Sequence, residues 1–197
     1  MERDSYRQDQ VLNTRSKGAS PPAPPQEDLT ESFEPIVGQS VTLRALRRED
    51  HEIEHAFVSG LSPETRHNRL LGGAIRITRE YIERLTTVDF SRDVALAATV
   101  MLGDREVLIG VARYVRDAGD ERACEFAIVI ADTWQGRGIG IRMMEKLIGV
   151  ARSRGLRRMY GEVLSTNHAM LAFCRKLGFS AALLPGDATV TLVTLEL

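Results

Sequence analysis

The stretch ADTWQGRGIGIRMM, residues 131–144, sets a glutamine, three glycines and two arginines between an apolar run and an amphipathic one. Glycine permits positive φ and close backbone approach, so successive N–H groups along Gln135, Gly136, Arg137, Gly138, Ile139 and Gly140 can converge on an anion. A helix starting there adds unsatisfied amides and the positive end of its dipole. A diphosphate is the natural guest. The loop is not a P-loop, which ends Gly-Lys-Ser/Thr to hold phosphate and Mg²⁺; here Ile141 and Arg142 follow Gly140. It is not a dinucleotide fingerprint either. That motif is GxGxxG at a tight turn leaving the first strand, whereas this spacing is GxGxG and Asp132 to Gln135 intervene. Glu162 stands near the distance of a ribose-binding acid, which we read as chance.

A second candidate is Glu125 in ACEFAIVIA. A carboxylate inside an otherwise apolar strand is costly unless it is solvated, paired or used. A carboxylate near a reacting amine can take its proton, directly or through water; an edge-facing salt bridge is the plain alternative. His67, Arg66 and Arg69 lie in LSPETRHNRLLGG, where solvated helix charges are the simplest reading, and Trp134 beside the loop reads as a packing anchor.

These residues need a scaffold, and the pattern supplies one. SVTLRAL alternates as a first strand, and REDHEIEHAFVSG follows as a short helix. Ser62 then caps a second helix with Pro63 at its first position, closed by Gly72 and Gly73, and Thr78 caps a third in TREYIERLTTVD. VALAATVML, EVLIGVARYV and ACEFAIVIA are three strands with connections short enough to make them antiparallel neighbours. A strong helix is expected from about Gly140 to Arg154, with Ile141, Met144, Leu147, Ile148 and Ala151 on one face. LRRMYGEVL is a strand. NHAMLAFCRKL is a helix with Met170, Phe173, Cys174 and Leu177 on one face, and FSAALLP and ATVTLVTLEL close the chain as strands. The order predicts a mixed α/β sheet in one domain over residues 36–197. Residues 1–35 read as a disordered proline-rich leader, with Pro21, Pro22, Pro24 and Pro25 forming an extended spacer.

Composition excludes several classes. Of 197 residues, 43 % are hydrophobic and 27 % charged, as in ordinary globular proteins. The net charge of −1 gives no electrostatic reason for nucleic-acid binding. No run approaches the roughly 18 apolar residues of a membrane span, and the N-terminus does not read as a secretory signal. Cys124 and Cys174 lack metal-ligand spacing, so neither a zinc site nor a disulfide scaffold is expected. A cytoplasmic location is the default.

Gln135-x-x-Gly138-x-Gly140 resembles the acyl-CoA pyrophosphate loop of the GNAT superfamily of N-acetyltransferases. The likeness extends over about residues 40–197, through VTLRALRRED and STNHAMLAFCRKLGF, and the element order agrees. The resemblance implies the GNAT fold, a mostly antiparallel sheet splayed between the fourth and fifth of its strands. It implies acetyl-CoA as acyl donor, with its diphosphate on residues 135–140 and its pantetheine paired to backbone groups of Ile128, Val129 and Ile130. Asn167, an N-cap in its own right, matches a residue that contacts the CoA arm.

The same resemblance implies direct acyl transfer to an amine, with Glu125 as general base. It is similar at this strand position and in SPETRHNR to bacterial protein-lysine acetyltransferases that act on acyl-CoA synthetases. One departure stands out: Cys174 occupies the place where many members carry an acidic tyrosine. A thiol is poorly suited to that task and reads as a small hydrophobe. The expected protein is a monomer or homodimer that acetylates an amine, with a protein lysine favoured. A small-molecule amine acetyltransferase and a catalytically weak acyl-CoA sensor stay open as alternatives.

Overall fold

The computed structural model describes residues 29–197. Eight strands form one sheet in the order β1-β2-β3-β4-β5-β6-β8-β7. They are β1 (Glu31–Ile36), β2 (Gln39–Ala45), β3 (Val94–Leu102), β4 (Arg105–Arg116), β5 (Ala123–Ile130), β6 (Arg158–Leu164), β7 (Ser180–Leu184) and β8 (Asp187–Glu196). Every pairing is antiparallel except β5 with β6. The helices are α1 (His51–Gly60), α2 (Pro63–Arg69), α3 (Arg79–Thr86), α4 (Ile139–Ser153) and α5 (His168–Lys176).

The mixed sheet and its helices match the expected class, with one change at the start. Residues 31–35, assigned to the leader, form an edge strand together with Ile36; residues 1–28, with the four clustered prolines, lie outside the described residues. An edge position tolerates Pro35, because a missing N–H there costs no ladder bond. The segment is anchored at its N-terminal end, where Leu29 is buried in the core and Glu31 pairs with Arg142 and, at 3.5 Å, with Lys146 of α4, and its other end turns into β2 with Ile36 opposite Gln39. The strand at β2 is therefore second in the sheet, and the expected fourth and fifth strands are β5 and β6.

Alternation along the strands divides the interior into two cores. On one face, α4 and α5 cover Ala98, Ala112, Tyr114, Cys124 and Phe126. On the other, Phe57, Val58 and Leu61 with Tyr81, Ile82 and Leu85 cover Ala95, Ala97, Val111 and Val129. The apolar stripe of α4 runs through Ile139, Met143, Met144, Leu147, Ile148 and Ala151. Ile141, expected on that stripe, is only half-buried, because Ile139 and Met143 carry the buried face instead. Glycines end the helices as their positions suggested: Gly155 follows α4 at φ 74° and Gly178 follows α5 at φ 88°. In α5 the fully covered positions are Leu171 and Cys174, with Met170, Phe173 and Leu177 at their margin.

Candidate active site

The parallel pairing of β5 with β6 lasts three residues: Ala123 with Arg158, Cys124 with Met159, Glu125 with Tyr160. Beyond Glu125 the strands part, while β5 stays paired with β4 up to Ile130. The result is a V whose vertex is at Glu125 and Tyr160. Gly161 shapes the start of the divergence, since a Cβ there would stand 2.7 Å from Phe126 Cε1.

The open edge of β5 can be assigned by alternation. Ala131 N–H donates to Ile109 C=O at 2.8 Å, continuing the β4 ladder. Antiparallel ladders alternate, so Val129 also turns its polar groups to β4, whereas Ile128 and Ile130 turn theirs across the split. Val129 thus leaves the group of three expected to face a ligand arm. Ile130 C=O accepts Gln135 Nε2 at 3.0 Å, so the Gln135 side chain ties the loop to the strand.

The loop itself leaves β5 through a 3₁₀ turn, Asp132–Trp134. Gly136 and Gly138 have φ of 73° and 80°, and a Cβ at either would meet nothing within 4 Å. Gly138 is the N-cap of α4 and offers no side chain to its amides. The first bond back into the helix runs from Arg142 N–H to Gly138 C=O at 3.1 Å, so the amides ahead of it have no intrahelical acceptor. Gly140 has a different reason to be glycine: a Cβ would lie 3.3 Å from Phe173. Arg137 stacks on Trp134, its guanidinium carbon 5.2 Å from the ring centroid. An open loop of left-handed glycines at a helix N-terminus fits a diphosphate.

Glu125 is half-buried. It shares its face of β5 with exposed Ala127 and with Val129, which packs under the α1 and α3 layer. The carboxylate therefore stands on the opposite face of the sheet from α4. Beside it in register, Tyr160 donates to Asp117 Oδ2 at 2.5 Å. Burial, that bond and the charge of Glu125 push the phenol well above its ordinary pKa, and the same bond holds the Asp117 carboxyl below the usual range. Glu162, two residues past Tyr160, lies on the same face of β6. Tyr160 and Glu162 had no catalytic signal in the sequence, because β6 enters the site through a pairing 35 residues away from Glu125, and Asp117, just past β4, joins them only through its bond from Tyr160.

Above the split a cleft of about 430 Å³ lies between α2 and the start of α5. Glu64, His67 and Asn68 line one wall, Thr166, Asn167, His168 and Ala169 the other. Asn167 Oδ1 accepts Met170 N–H at 3.0 Å, which is the expected cap, and the residue also lines the cleft. His67 belongs to this wall, whereas Arg69 sits within electrostatic reach of the buried Glu54 carboxyl. Cys174 is 1 % exposed, and burial pushes its thiol up to about 12. It packs as a neutral core residue.

The site thus sets an open glycine loop at the N-terminus of α4 on one face of the sheet and the Glu125 carboxylate on the other. The chain belongs to the acetyltransferase (GNAT) family, whose model matches residues 69–179. It is similar to Acetyltransferase PA5475 of Pseudomonas aeruginosa, with 37 % identity over 160 residues that cover 81 % of this chain and 86 % of that protein. It is similar to Acetyltransferase Pat of Mycolicibacterium smegmatis at 35 % identity over 101 residues, covering 51 % of this chain but only 30 % of that longer protein. Among solved structures, the GNAT domain of S. lividans PAT superposes with a TM-score of 0.77 at 27 % identity, covering 88 % of this chain and 99 % of that one. Among the described residues, no helix is long and apolar enough to cross a membrane.

Proposed function

We propose that the chain transfers an acetyl group from acetyl-CoA to an amine, and that the amine is a lysine side chain of a protein. The observation that carries this reading is the vertex. The sheet parts immediately past Glu125, below an open strand edge that leads to the glycine loop. Amides of residues 136–140 hold the diphosphate, Ile128 and Ile130 hold the pantetheine as an added strand, and Asn167 meets the arm from α5. When bound, acetyl-CoA supplies an acyl thioester, an activated carbonyl that an unprotonated amine can attack.

At neutral pH a lysine amine is mostly protonated. Glu125 faces the side of the sheet away from the donor loop, where an acceptor crossing Ala127 would arrive, and accepts the amine proton. The negative charges of Asp117 and Glu125 favour a cationic acceptor at the mouth. The phenol of Tyr160, committed to Asp117, borders this path rather than supplying a proton. The preference for protein lysine is supported by the likeness to Pat and to the PAT domain, together with the resemblance of SPETRHNR and of the strand position of Glu125 to protein-lysine acetyltransferases.

Thiol release from acetyl-CoA across small amines, lysine peptides and candidate acyl-CoA synthetases tests the proposal. The expected result is release with lysine-bearing proteins, accompanied by one acetyl mass per modified lysine. Activity confined to small amines would overturn the protein acceptor, and no release with any amine would favour a sensor.

A further inference from the structure

The turn that leads into the glycine loop carries a carboxylate whose bonds all go to one place. Asp132 Oδ1 accepts the Ser62 hydroxyl at 2.7 Å and the Thr65 hydroxyl at 2.6 Å, and Oδ2 accepts Ser62 N–H at 2.9 Å. Ser62 Oγ in turn accepts Thr65 N–H at 3.1 Å. The N-cap of α2 and the carboxylate of the donor loop therefore form one hydrogen-bonded unit across nearly seventy residues of sequence. Desolvation opposes the charge on Asp132, but the bonds from Thr65 and Ser62 outweigh it and hold the carboxyl below the usual range.

Helix α2 depends on such a tie. It has seven residues and none of them is buried, so neither its length nor an apolar face fixes it. Yet it supplies Glu64, His67 and Asn68 to one wall of the cleft over the split. Asp132 itself sits three residues ahead of Gln135, with no intervening flexible segment: the Asp132 C=O accepts Gln135 N–H at 3.3 Å.

We propose that Asp132 is a positioning residue that makes the α2 wall of the cleft follow the donor loop, so that filling the loop orders the wall. This rests on the loop being the diphosphate seat. A diphosphate held by residues 136–140 restrains the turn at 132–134. The three bonds to Asp132 then pass that restraint to Ser62 and Thr65. Donor binding thereby prepares the cleft.

Hydrogen exchange of the full chain, with and without acetyl-CoA, tests the coupling. In the wild-type protein acetyl-CoA is expected to slow exchange at least fivefold in both residues 135–141 and residues 62–71. Asp132→Ala should keep the slowing at 135–141 and lose it at 62–71. Ser62→Ala/Thr65→Val, which removes the two hydroxyl bonds from the other side and leaves only the bond from the residue 62 N–H to Asp132, should lose most of the slowing at 62–71. Asp132→Asn, which retains the oxygen serving both hydroxyls, should fall between. A wild-type α2 indifferent to acetyl-CoA, or one that still responds in both variants, overturns the proposal. Absence of any slowing at 135–141 in the wild-type protein overturns the donor reading itself and the coupling with it, a result distinct from the other two.

Discussion

Replacing Gly138 tests the loop most sharply, because alanine and aspartate separate shape from charge there. The residue has φ 80° and ψ −8°, a conformation that costs an L-residue about 1–2 kcal/mol. A Cβ meets nothing within 4 Å, so neither variant clashes with the protein, and both should lose similar, modest stability. Their donor affinities should differ widely. A carboxylate roughly 5 Å from a diphosphate charge, at an effective dielectric near 20, is repelled by about 3 kcal/mol, which is roughly a hundredfold in Kd. Calorimetric titration with acetyl-CoA should show Gly138→Ala within about tenfold of wild type, and Gly138→Asp roughly a hundredfold weaker than the alanine variant. The gap between the two should narrow at high salt, since the loop is exposed and its charges are screened. Equal affinity of the two variants would refute the placement of the diphosphate.

Glu125→Gln should lower kcat by about two orders of magnitude or more, the usual contribution of a general base, and leave acetyl-CoA affinity nearly unchanged. Glu162→Gln in the same steady-state assay should cost far less, and the reverse ranking would move the base to β6. Gly161→Ala should destabilise by about 1–3 kcal/mol in a urea melt, because its Cβ meets Phe126 at 2.7 Å and Phe126 is itself packed on Phe179. Burial raises the Asp93 carboxyl to about 6, against the opposing bond from Arg116 N–H. The folded state therefore keeps that proton where the unfolded chain has lost it, and Asp93 subtracts stability progressively as pH rises from about 4 to 6. Asp93→Asn should accordingly raise Tm relative to wild type at pH 7 but not at pH 4, and an equal shift at both would remove the titration from the account.

Local signals in the sequence located most elements. Ser62 does cap α2 by accepting Thr65 N–H, and Thr78 caps α3 by accepting Tyr81 N–H. Both are short-range chemistry that a spacing rule can see. The edge strand β1 escaped because ESFEPI has little to bury on its own. It is a strand through Leu29 in the core and Glu31 on α4, contacts that local composition does not encode. The site divides in the same way. The glycine loop and Glu125 are legible as local oddities, a run of glycines and a charge among apolar residues. Tyr160 beside Glu125 and Asp132 on Ser62 exist only once β5 lies on β6 and α2 lies against the turn.

The open edge of β5 and the amides of the loop share one property: neither meets the acyl group. Spent CoA carries the same arm and the same diphosphate as the proposed donor. Affinity gathered there is uniform through the reaction and does not distinguish substrate from product. Free carrier therefore competes for the split at comparable strength. In the proposed binding mode, with total carrier saturating the split, the rate would follow the ratio of acylated to free carrier rather than the amount of either.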